Sequence, residues 1–387
     1  MRTLLFTGKG GVGKTSVAAA TAVATAAAGK RTLIMSTDPA HSLGDAFDET
    51  IGPRATQVTK NLWAEQLDSQ QRLQEGWREI QTYAVELLAW LGLPEMEAEE
   101  LSVIPGVDEL FSLADLKKHA REGAYEVVIL DCAPTAETLR LLSLPEVLTW
   151  YIEKIFPVER KVMKTVRPLL QHVRSIPPLA SDDVFAAVER FYMKIDGIKQ
   201  MLTDPRDASI RLVVNPEKMV LAEAERTFTY LCMFGYRVDA IVMNRVLPSE
   251  VTDPYFGAWR KIQADNLERA EDSFSPVPIL RSRLLDTEIV GLGPLQRLAV
   301  EVYEDTDPSE VLYRHEVMKV VESTEGRDLF IRLPFTEKDE VELSRKSGEL
   351  FVKVGNFKRN LTLPQSLKSS VVTGASFQDD FLKVSFV

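Results

Sequence analysis

A glycine-rich octapeptide near the start of the chain constrains its fold more than any other feature. Residues 8–15 read GKGGVGKT and follow a short apolar run at 3–7. An uncharged stretch rich in alanine and threonine, 15–29, comes directly after them. Glycines at this spacing let backbone N–H groups close around phosphate oxygens, and a following helix N-terminus adds positive potential. The sequence therefore predicts a strand, a phosphate-binding loop and a helix in succession.

The loop residues have separate predicted roles. Lys14 is expected to reach the β- and γ-phosphates of a nucleotide, and the Thr15 hydroxyl is expected to ligate Mg²⁺. The predicted nucleotide-binding residues of the loop are Gly8, Lys9, Gly10, Gly11, Val12, Gly13, Lys14, Thr15 and Ser16.

Further apolar runs, each ending in a polar loop, predict the rest of the sheet. They are residues 31–36, 125–131, 209–215 and 238–244. Continuous apolar strands separated by helices are typical of a parallel sheet that is covered on both faces. The predicted fold class is an α/β P-loop NTPase with a mostly parallel sheet and helical insertions, followed by a small all-β sandwich.

Two aspartates follow strands of this predicted sheet. Asp38 opens the segment DPAHS and Asp131 opens DCAPT. Because ligands bind beyond the carboxyl ends of parallel strands, both segments should approach the phosphate site. Asp131 suits a Mg²⁺ ligand, either direct or through water. Asp38 suits the orientation or deprotonation of the attacking water.

Helical insertions and a C-terminal change of pattern divide the chain. Apolar residues recur every three or four positions over 73–91 and 185–202, and 148–173 is unusually apolar. We expect a helical subdomain over about 66–122 and 140–205, inside an ATPase domain at 1–305. From 315 to 387 apolar and polar residues alternate, which predicts the β-sandwich.

Composition excludes several classes of protein. The net charge of −11 argues against nucleic-acid binding, which needs basic residues. The run at 15–29 is shorter than the roughly 20 apolar residues of a spanning helix, so we expect no direct membrane insertion. Two cysteines, Cys132 and Cys232, cannot build a disulfide framework or a cysteine zinc site within one chain. They suit a reducing, cytoplasmic location.

Several motifs together resemble one family over about residues 1–300. GKGGVGKT, STDPAHSLGDAF, DCAPTAETLRLLSLP and IVMNRVLP are similar to the ArsA/GET family of dimeric P-loop ATPases. That family includes tail-anchored-protein targeting factors and the arsenite-pump ATPase. The resemblance implies hydrolysis of ATP with Mg²⁺ and a homodimer. It also implies that Lys9, the second lysine of the loop, reaches across the dimer interface as a catalytic residue.

The resemblance carries over to other positions. Asp38 falls on the catalytic aspartate of switch I, and Asp131, Pro134 and Thr135 fall on switch II. Asn244 falls on a residue that contacts adenine, and Glu217 on a second residue near the nucleotide. The helical insertions fall on a client groove, for which the candidate residues are Trp150, Ile155, Met163 and Phe191.

The chain also departs from the family pattern. Residues 248–276, where targeting factors carry a C-x-x-C that shares zinc between subunits, contain no cysteine, so we expect no zinc. The cysteine triad and the second ATPase half of arsenite-stimulated members are absent from this sequence. Residues 348–364 and 374–384 resemble the α-crystallin domain of small heat-shock proteins.

The leading functional hypothesis is a homodimeric, ATP-hydrolysing chaperone or targeting ATPase. Its nucleotide state would control the binding of hydrophobic or membrane-protein client segments. One alternative is a subunit of an arsenite or anion pump, and a second is a ParA/MinD-like switch that dimerises with ATP.

Overall fold

A computed structural model describes most of the 387-residue chain. The described residues are 1–37, 42–66, 79–83, 85, 86, 89, 107–154, 181–323, 326–346, 349–363, 367 and 370–387. The chain forms two compact units. The larger unit comprises Met1–Gln66, Tyr125–Leu139 and Leu202–Val387, and the smaller comprises Leu67–Ala124 and Arg140–Met201.

A single large sheet forms the centre of the larger unit. Its strands are β1 (Arg2–Thr7), β2 (Thr32–Ser36), β3 (Thr56–Thr59), β4 (Leu62–Gln66), β5 (Val127–Asp131), β6 (Ala208–Val214), β7 (Val238–Val246) and β8 (Ile279–Arg283). Their spatial order is β3-β4-β2-β5-β1-β6-β7-β8, and neighbours are parallel except the antiparallel β3–β4 pair. The predicted mostly parallel sheet is confirmed.

The predicted strands are largely buried. β2, β5 and β6 are buried at every position, which is why each reads as a continuous apolar run. The sequence did not predict β3, β4 and β8. β4 is an interior strand that is buried at four of its five positions, but its sequence LWAEQ ends in two polar residues and shows no long apolar run. β3 and β8 lie at the two edges of the sheet and are largely polar, with the sequences TQVT and ILRSR. Strands without a buried face do not show an apolar pattern.

The helices are named here in chain order. They are α1 (Lys14–Ala27), α2 (Ser42–Phe47), α3 (Val107–Glu122), α4 (Thr135–Lys154), α5 (Asp182–Ile195), α6 (Ile198–Thr203), α7 (Lys218–Met233), α8 (Gly257–Phe274) and α9 (Leu292–Tyr303).

Helix α1 begins at the phosphate-binding loop and is almost entirely buried. Alanine has the highest helix propensity, and Ala18, Ala19 and Ala20 have no exposed surface. The Thr21 hydroxyl lies 2.7 Å from the Tyr303 hydroxyl of α9. Small side chains therefore let α1 approach its neighbours closely, so the uncharged run at 15–29 is a packed core helix.

The smaller unit is helical where it is described. Phe111 of α3 packs on Phe191 of α5, with ring centroids 5.4 Å apart. The Lys117 ammonium of α3 donates a hydrogen bond of 2.9 Å to the Met193 carbonyl, and this fixes the end of α5. The helix predicted over 185–202 is divided at Gly197, whose φ is +79°. Most of 73–91 and of 148–173 lies outside the described residues.

The C-terminal part is all β. Its strands are β9 (Met318–Ser323), β10 (Gly326–Arg332), β11 (Val341–Lys346), β12 (Glu349–Val354), β13 (Phe357–Thr362), β14 (Val372–Gln378) and β15 (Phe381–Phe386). They form one antiparallel sheet in the order β14-β15-β10-β9 and another in the order β11-β12-β13. Alternate residues of β15 are buried, as the alternating sequence predicts.

Helix α7 joins these strands to the large sheet. The Tyr230 and Phe357 rings are 4.3 Å apart, and the Thr229 hydroxyl donates a hydrogen bond of 2.5 Å to the Pro334 carbonyl. The buried Arg359 guanidinium donates a hydrogen bond to the Met233 carbonyl at the end of α7. Because of these contacts the ATPase sheet and the β strands form one compact unit, although the sequence suggests two successive domains.

The segment that connects the large sheet to the C-terminal β strands is also held firmly. Arg211 on β6 has no exposed surface, and its guanidinium lies 3.3 Å from the Asp239 carboxylate. The same guanidinium donates to the carbonyls of Pro308 and Glu310, at 2.7 and 3.0 Å. Residues around 305–310, where the sequence suggests a domain boundary, are thus bound to the ATPase sheet.

Helices of membrane-spanning length and hydropathy do not occur in the part of the chain that the structure describes.

The Arg359→Met variant tests the contact between α7 and the β strands. It keeps most of the side-chain length but leaves the buried Met233 carbonyl without this donor. We expect a loss of about 1–3 kcal/mol in the free energy of unfolding, measured by urea denaturation. Lys358→Met removes a charge from an exposed neighbour on the same strand and is the control. Equal stabilities of the two variants would show that the contact contributes nothing.

Candidate nucleotide-binding site

The loop at 8–15 passes so close to two strands that two of its positions admit no side chain. A Cβ on Gly8 would lie 2.2 Å from the Val213 carbonyl oxygen of β6. A Cβ on Gly13 would lie 2.4 Å from Asn244 Nδ2 of β7, and φ at Gly13 is +91°. Gly13 also caps the N-terminus of α1. The glycines thus place the loop and the positive end of α1 beside the C-terminal ends of the central strands.

The two lysines of the loop point to different partners. Lys14 is buried, and its ammonium donates a hydrogen bond of 3.3 Å to the Lys9 carbonyl, across the loop. The Lys9 ammonium lies 3.8 Å from the Glu223 carboxylate of α7, and both side chains are about one third exposed. Lys14 is therefore inside the cradle, where a phosphate would meet it, and Lys9 lies at its open side.

Hydroxyl groups of α1 and β2 contact Asp131, and a third hydroxyl, of α2, contacts one of them. The Asp131 carboxylate accepts hydrogen bonds from Thr15 at 2.8 Å and from Ser36 at 3.4 Å. The Ser42 hydroxyl lies 3.2 Å from the Thr15 hydroxyl. Mg²⁺ prefers carboxylate and hydroxyl oxygens. These residues therefore fit the ion that accompanies a nucleotide, and the structure brings the two predicted ligands, Thr15 and Asp131, together.

The segment after β5 connects this cluster to α4 and α7. The Thr37 amide donates a hydrogen bond of 3.0 Å to the Asp131 carbonyl, and the Ala133 amide donates one of 3.3 Å to the Thr37 hydroxyl. Pro134 precedes α4, which begins at Thr135. The Thr135 hydroxyl donates a short hydrogen bond of 2.6 Å to the Glu223 carboxylate. Asp38, the predicted switch I residue, lies outside the described residues, so its role stays a prediction.

The cysteine inside this segment is not a reactive thiol. Burial raises the pKa of the Cys132 thiol far above its ordinary value, and the neighbouring Asp131 carboxylate raises it further. Burial likewise raises the pKa of the Cys232 thiol to about 12. Both groups remain neutral thiols at physiological pH, which makes them poor nucleophiles and poor metal ligands.

Beyond the loop lies a cavity of about 230 Å³ that suits a nucleobase. Its lining residues are Asn215, Glu217, Arg245, Leu247, Phe256, Trp259, Gln263 and Leu284. Aromatic side chains offer flat surfaces on which a base can stack. The Asn215 side-chain oxygen is buried and has no hydrogen-bond partner among the described residues, so it is available to accept from an amino group.

Asn244 has a structural task beside this cavity. Its side-chain amide donates a hydrogen bond of 2.8 Å to the Val12 carbonyl of the loop. Its oxygen accepts one of 3.0 Å from the Arg245 amide. The predicted contact between Asn244 and adenine stays a prediction, whereas Glu217 does line the cavity.

Sequence reasoning missed three residues of the site. Arg245 donates a hydrogen bond of 3.0 Å to the Gly11 carbonyl, Asn215 lines the cavity, and Glu223 contacts Lys9 and Thr135. Asn215 follows β6, and the rule that ligands bind beyond strand ends could have found it. Glu223 lies in the middle of a helix, where no local pattern distinguishes it from a solvent-exposed glutamate.

Of the four predicted client-groove residues, the structure describes the side chain of Phe191. The Phe191 side chain is 3% exposed and packs on Phe111, so it belongs to the core of the helical unit and not to an open surface. This burial agrees with the rule that an amphipathic stripe usually faces its own protein, and the role of Phe191 in a client groove stays a prediction. The Trp150 side chain, Ile155 and Met163 lie outside the described residues.

Clusters of three or more histidine, cysteine, aspartate or glutamate side chains able to hold a metal ion do not occur in the described ranges. The Mg²⁺ cluster above differs in kind, since it combines one carboxylate with hydroxyl groups.

The Gly13→Ala variant tests the close approach of the loop. The added Cβ meets the Asn244 amide group in a left-handed backbone conformation, so either the loop or the Asn244 side chain must shift. We expect ATP affinity to fall about ten- to a hundredfold, the equivalent of roughly 1–3 kcal/mol of strain. Isothermal titration calorimetry measures this. Gly29→Ala is the control, because Gly29 has a φ of +90° with open space around its Cβ position. If both variants bind ATP equally well, the contact with Asn244 does not shape the site.

Comparison with known proteins agrees with this geometry. The profile of the family described as anion-transporting ATPase matches residues 1–304. A second profile, described as an HSP20-like domain found in ArsA, matches residues 324–386. The two matches together span both the ATPase sheet and the C-terminal β strands.

Relatives of similar length match along the whole chain. A protein of Aquifex aeolicus named "Putative arsenical pump-driving ATPase 1" is 38% identical over 391 residues, covering 98% of each chain. A protein of Chlorobaculum tepidum with the same name, without the numeral, is 37% identical and covers 100% of this chain and 96% of its own length. A protein of Prosthecochloris vibrioformis with that name is also 37% identical, with the same coverage. The chain therefore belongs to the ArsA family of anion-transporting ATPases and carries the HSP20-like domain found in that family.

Proposed function

We propose that this ATPase works as a homodimer and couples its nucleotide state to the binding of hydrophobic protein segments. The observation that carries the proposal is the position of Lys9. The loop already has an inward lysine, Lys14, for its own phosphates. Lys9 lies at the open side of the cradle, one third exposed, where a second subunit could approach.

The residues of the site suggest how each would act on ATP. Lys14 and the loop amides bind the phosphates, and the Asn215 oxygen accepts from the amino group of the base. Mg²⁺ bound with ATP would be held by Thr15 and Asp131, and it would supply positive charge that stabilises the phosphoryl oxygens during transfer. Asp38 would orient the attacking water and accept its proton. Lys9 of the opposite subunit would neutralise charge that develops on the γ-phosphoryl group.

An exposed apolar surface beside the base cavity supports dimerisation. Tyr255, Trp259 and Ile262 are 77%, 46% and 46% exposed, and Trp259 also lines the cavity. Soluble proteins rarely leave several large apolar side chains exposed together without a partner. A second copy that brings Lys9 to this side of the site would cover them.

The helical unit supports the client-binding part of the proposal. A cavity of about 560 Å³ lies between α3 and α5, with Phe111 and Met193 among its lining residues. Its other lining residues are Ala114, Asp115, Lys117, Lys118, Arg121, Glu122 and Lys194. Met193 is 67% exposed, and methionine adapts to apolar partners of different shape. Apolar surface with a largely basic rim suits an apolar segment flanked by acidic residues.

The names of the relatives favour a second candidate, an ATPase that drives an arsenical pump. Arsenite binds thiolates, and soft metalloid chemistry needs accessible sulfur. Both cysteines of this chain are buried, with thiol pKa values raised by burial. We therefore expect no activation by arsenite. A ParA/MinD-like switch remains the third candidate and would share the dimer but not the client.

Two substitutions test the ATPase assignments. Lys14→Ala removes the phosphate contact and Asp38→Asn removes the carboxylate that handles the attacking water. Each should lower the steady-state rate of ATP hydrolysis by about 10²–10³, measured as phosphate release, with an unchanged circular dichroism spectrum. Wild-type turnover in Asp38→Asn would exclude a catalytic role for Asp38. Arsenite added to the wild-type enzyme should leave the rate unchanged, and a marked stimulation would favour the pump candidate.

Photocrosslinking tests the client site. A photoreactive amino acid at Met193 should capture an apolar peptide with acidic flanks, to an extent that differs between ADP and an ATP analogue. The matched control is the same probe at Met219, which is 74% exposed on α7. Equal capture at both positions would show non-specific adhesion. Capture by a probe at Phe351 alone would move the client site to the β strands.

A further inference from the structure

Glu223 is a carboxylate of the site to which the mechanism above gives no task. It lies on α7, with one oxygen 2.6 Å from the Thr135 hydroxyl and the other 3.8 Å from the Lys9 ammonium. It therefore touches the P-loop and switch II at once. Neither contact is needed to bind the nucleotide's own phosphates, because Lys14 and the loop amides already face them.

The helix that carries Glu223 begins at the base cavity and is anchored along its C-terminal half. Its N-cap residue, Glu217, lines the base cavity. Its C-terminal half is buried against the β strands, through Thr229 on Pro334 and Met233 on Arg359. Glu223 is consequently a fixed point. Of the two groups in its ion pair, Lys9, on a flexible four-carbon stem, is the one that can move away.

The position of Lys9 matters for the homodimer proposed above, and this inference rests on that proposal. A lysine that acts on the nucleotide of a second subunit must first leave its intrachain carboxylate. We propose that Glu223 is a positioning residue that holds Lys9 on its own subunit, and that release of this ion pair accompanies dimer formation. The other oxygen of the same carboxylate accepts a hydrogen bond from the Thr135 hydroxyl. A change in the position of switch II would therefore also affect the carboxylate that pairs with Lys9.

The strength of the ion pair between Lys9 and Glu223 sets the expected change in the dimer dissociation constant. Partly exposed ion pairs of this kind change an equilibrium by about 1.5- to 5-fold. A symmetric dimer would release two such pairs, so removing the Glu223 charge should tighten the dimer by about 2- to 25-fold. The pair is strong enough to regulate assembly and weak enough to open.

The Glu223→Gln variant tests this inference directly. Its amide oxygen can still accept the Thr135 hydroxyl, while the charge that holds Lys9 is gone. The measurement is the dimer dissociation constant by analytical ultracentrifugation, at saturating non-hydrolysable ATP analogue and Mg²⁺, so that altered nucleotide affinity does not contribute. The matched control is Glu225→Gln on the same helix, whose carboxylate pairs with Arg269 at 2.8 Å. We expect a tighter dimer for Glu223→Gln and no change for the control.

A double variant separates the ion pair from a general structural effect. In the Lys9→Met background the effect of Glu223→Gln should disappear, because the pair is already absent. Salt gives a second readout: from about 50 mM to about 500 mM NaCl the wild-type constant should approach that of Glu223→Gln, since salt screens exposed pairs. The inference would be overturned if Glu223→Gln formed a weaker dimer or left the dissociation constant unchanged. It would also be overturned if the tighter dimer of Glu223→Gln persisted in high salt or in the Lys9→Met background.

The same experiment distinguishes two kinds of failure. If the wild type stays monomeric with the ATP analogue at every concentration, the homodimer of the proposed function is wrong and the role of Glu223 with it. If the wild type dimerises and Lys9→Met weakens the dimer while Glu223→Gln has no effect, only the inference about Glu223 fails.

Discussion

The close approach of the phosphate-binding loop to two central strands is the constraint on which the rest of the site depends. Gly8 lies against the Val213 carbonyl and Gly13 against the Asn244 side chain. A Cβ at either position would collide with these groups, so glycine at both positions is what allows the loop to pack this closely against β6 and β7. The direction of α1, the inward position of Lys14 and the contact between Thr15 and Asp131 all follow from that placement.

Helix α7 extends the influence of the site beyond the loop. Along its length it carries Glu217 at the base cavity, Glu223 between Lys9 and Thr135, and Thr229 and Tyr230 at the C-terminal β strands. One element thus touches nucleotide-binding residues at one end and the HSP20-like domain at the other. The same helix that packs on the C-terminal β strands therefore also sets the position of Glu223 beside Lys9 and Thr135.

The family membership and the site chemistry answer different questions. The family match and the oxygen cluster around Asp131 both point to a nucleotide-hydrolysing enzyme. The relatives' names mention an arsenical pump, whereas the two cysteines of this chain are buried and their thiols are held neutral. The buried, neutral thiols therefore offer no accessible sulfur ligand, and the proposed client site depends on apolar and basic side chains instead.

The sequence by itself determined the features that depend on local chemistry. The order of strand, loop and helix, the choice of Lys14, Thr15 and Asp131 as candidate site residues, and the change to alternating strands after 315 all follow from residue types at short spacing. Edge strands escaped prediction because polar strands without a buried face leave no pattern. Only the tertiary structure decided that Phe191 is a core residue, since amphipathic spacing does not say which partner covers the apolar face. It also decided the contacts of Asn215, Arg245 and Glu223, because contacts between residues as far apart as 9 and 223 depend on how the chain folds back and not on any local signal.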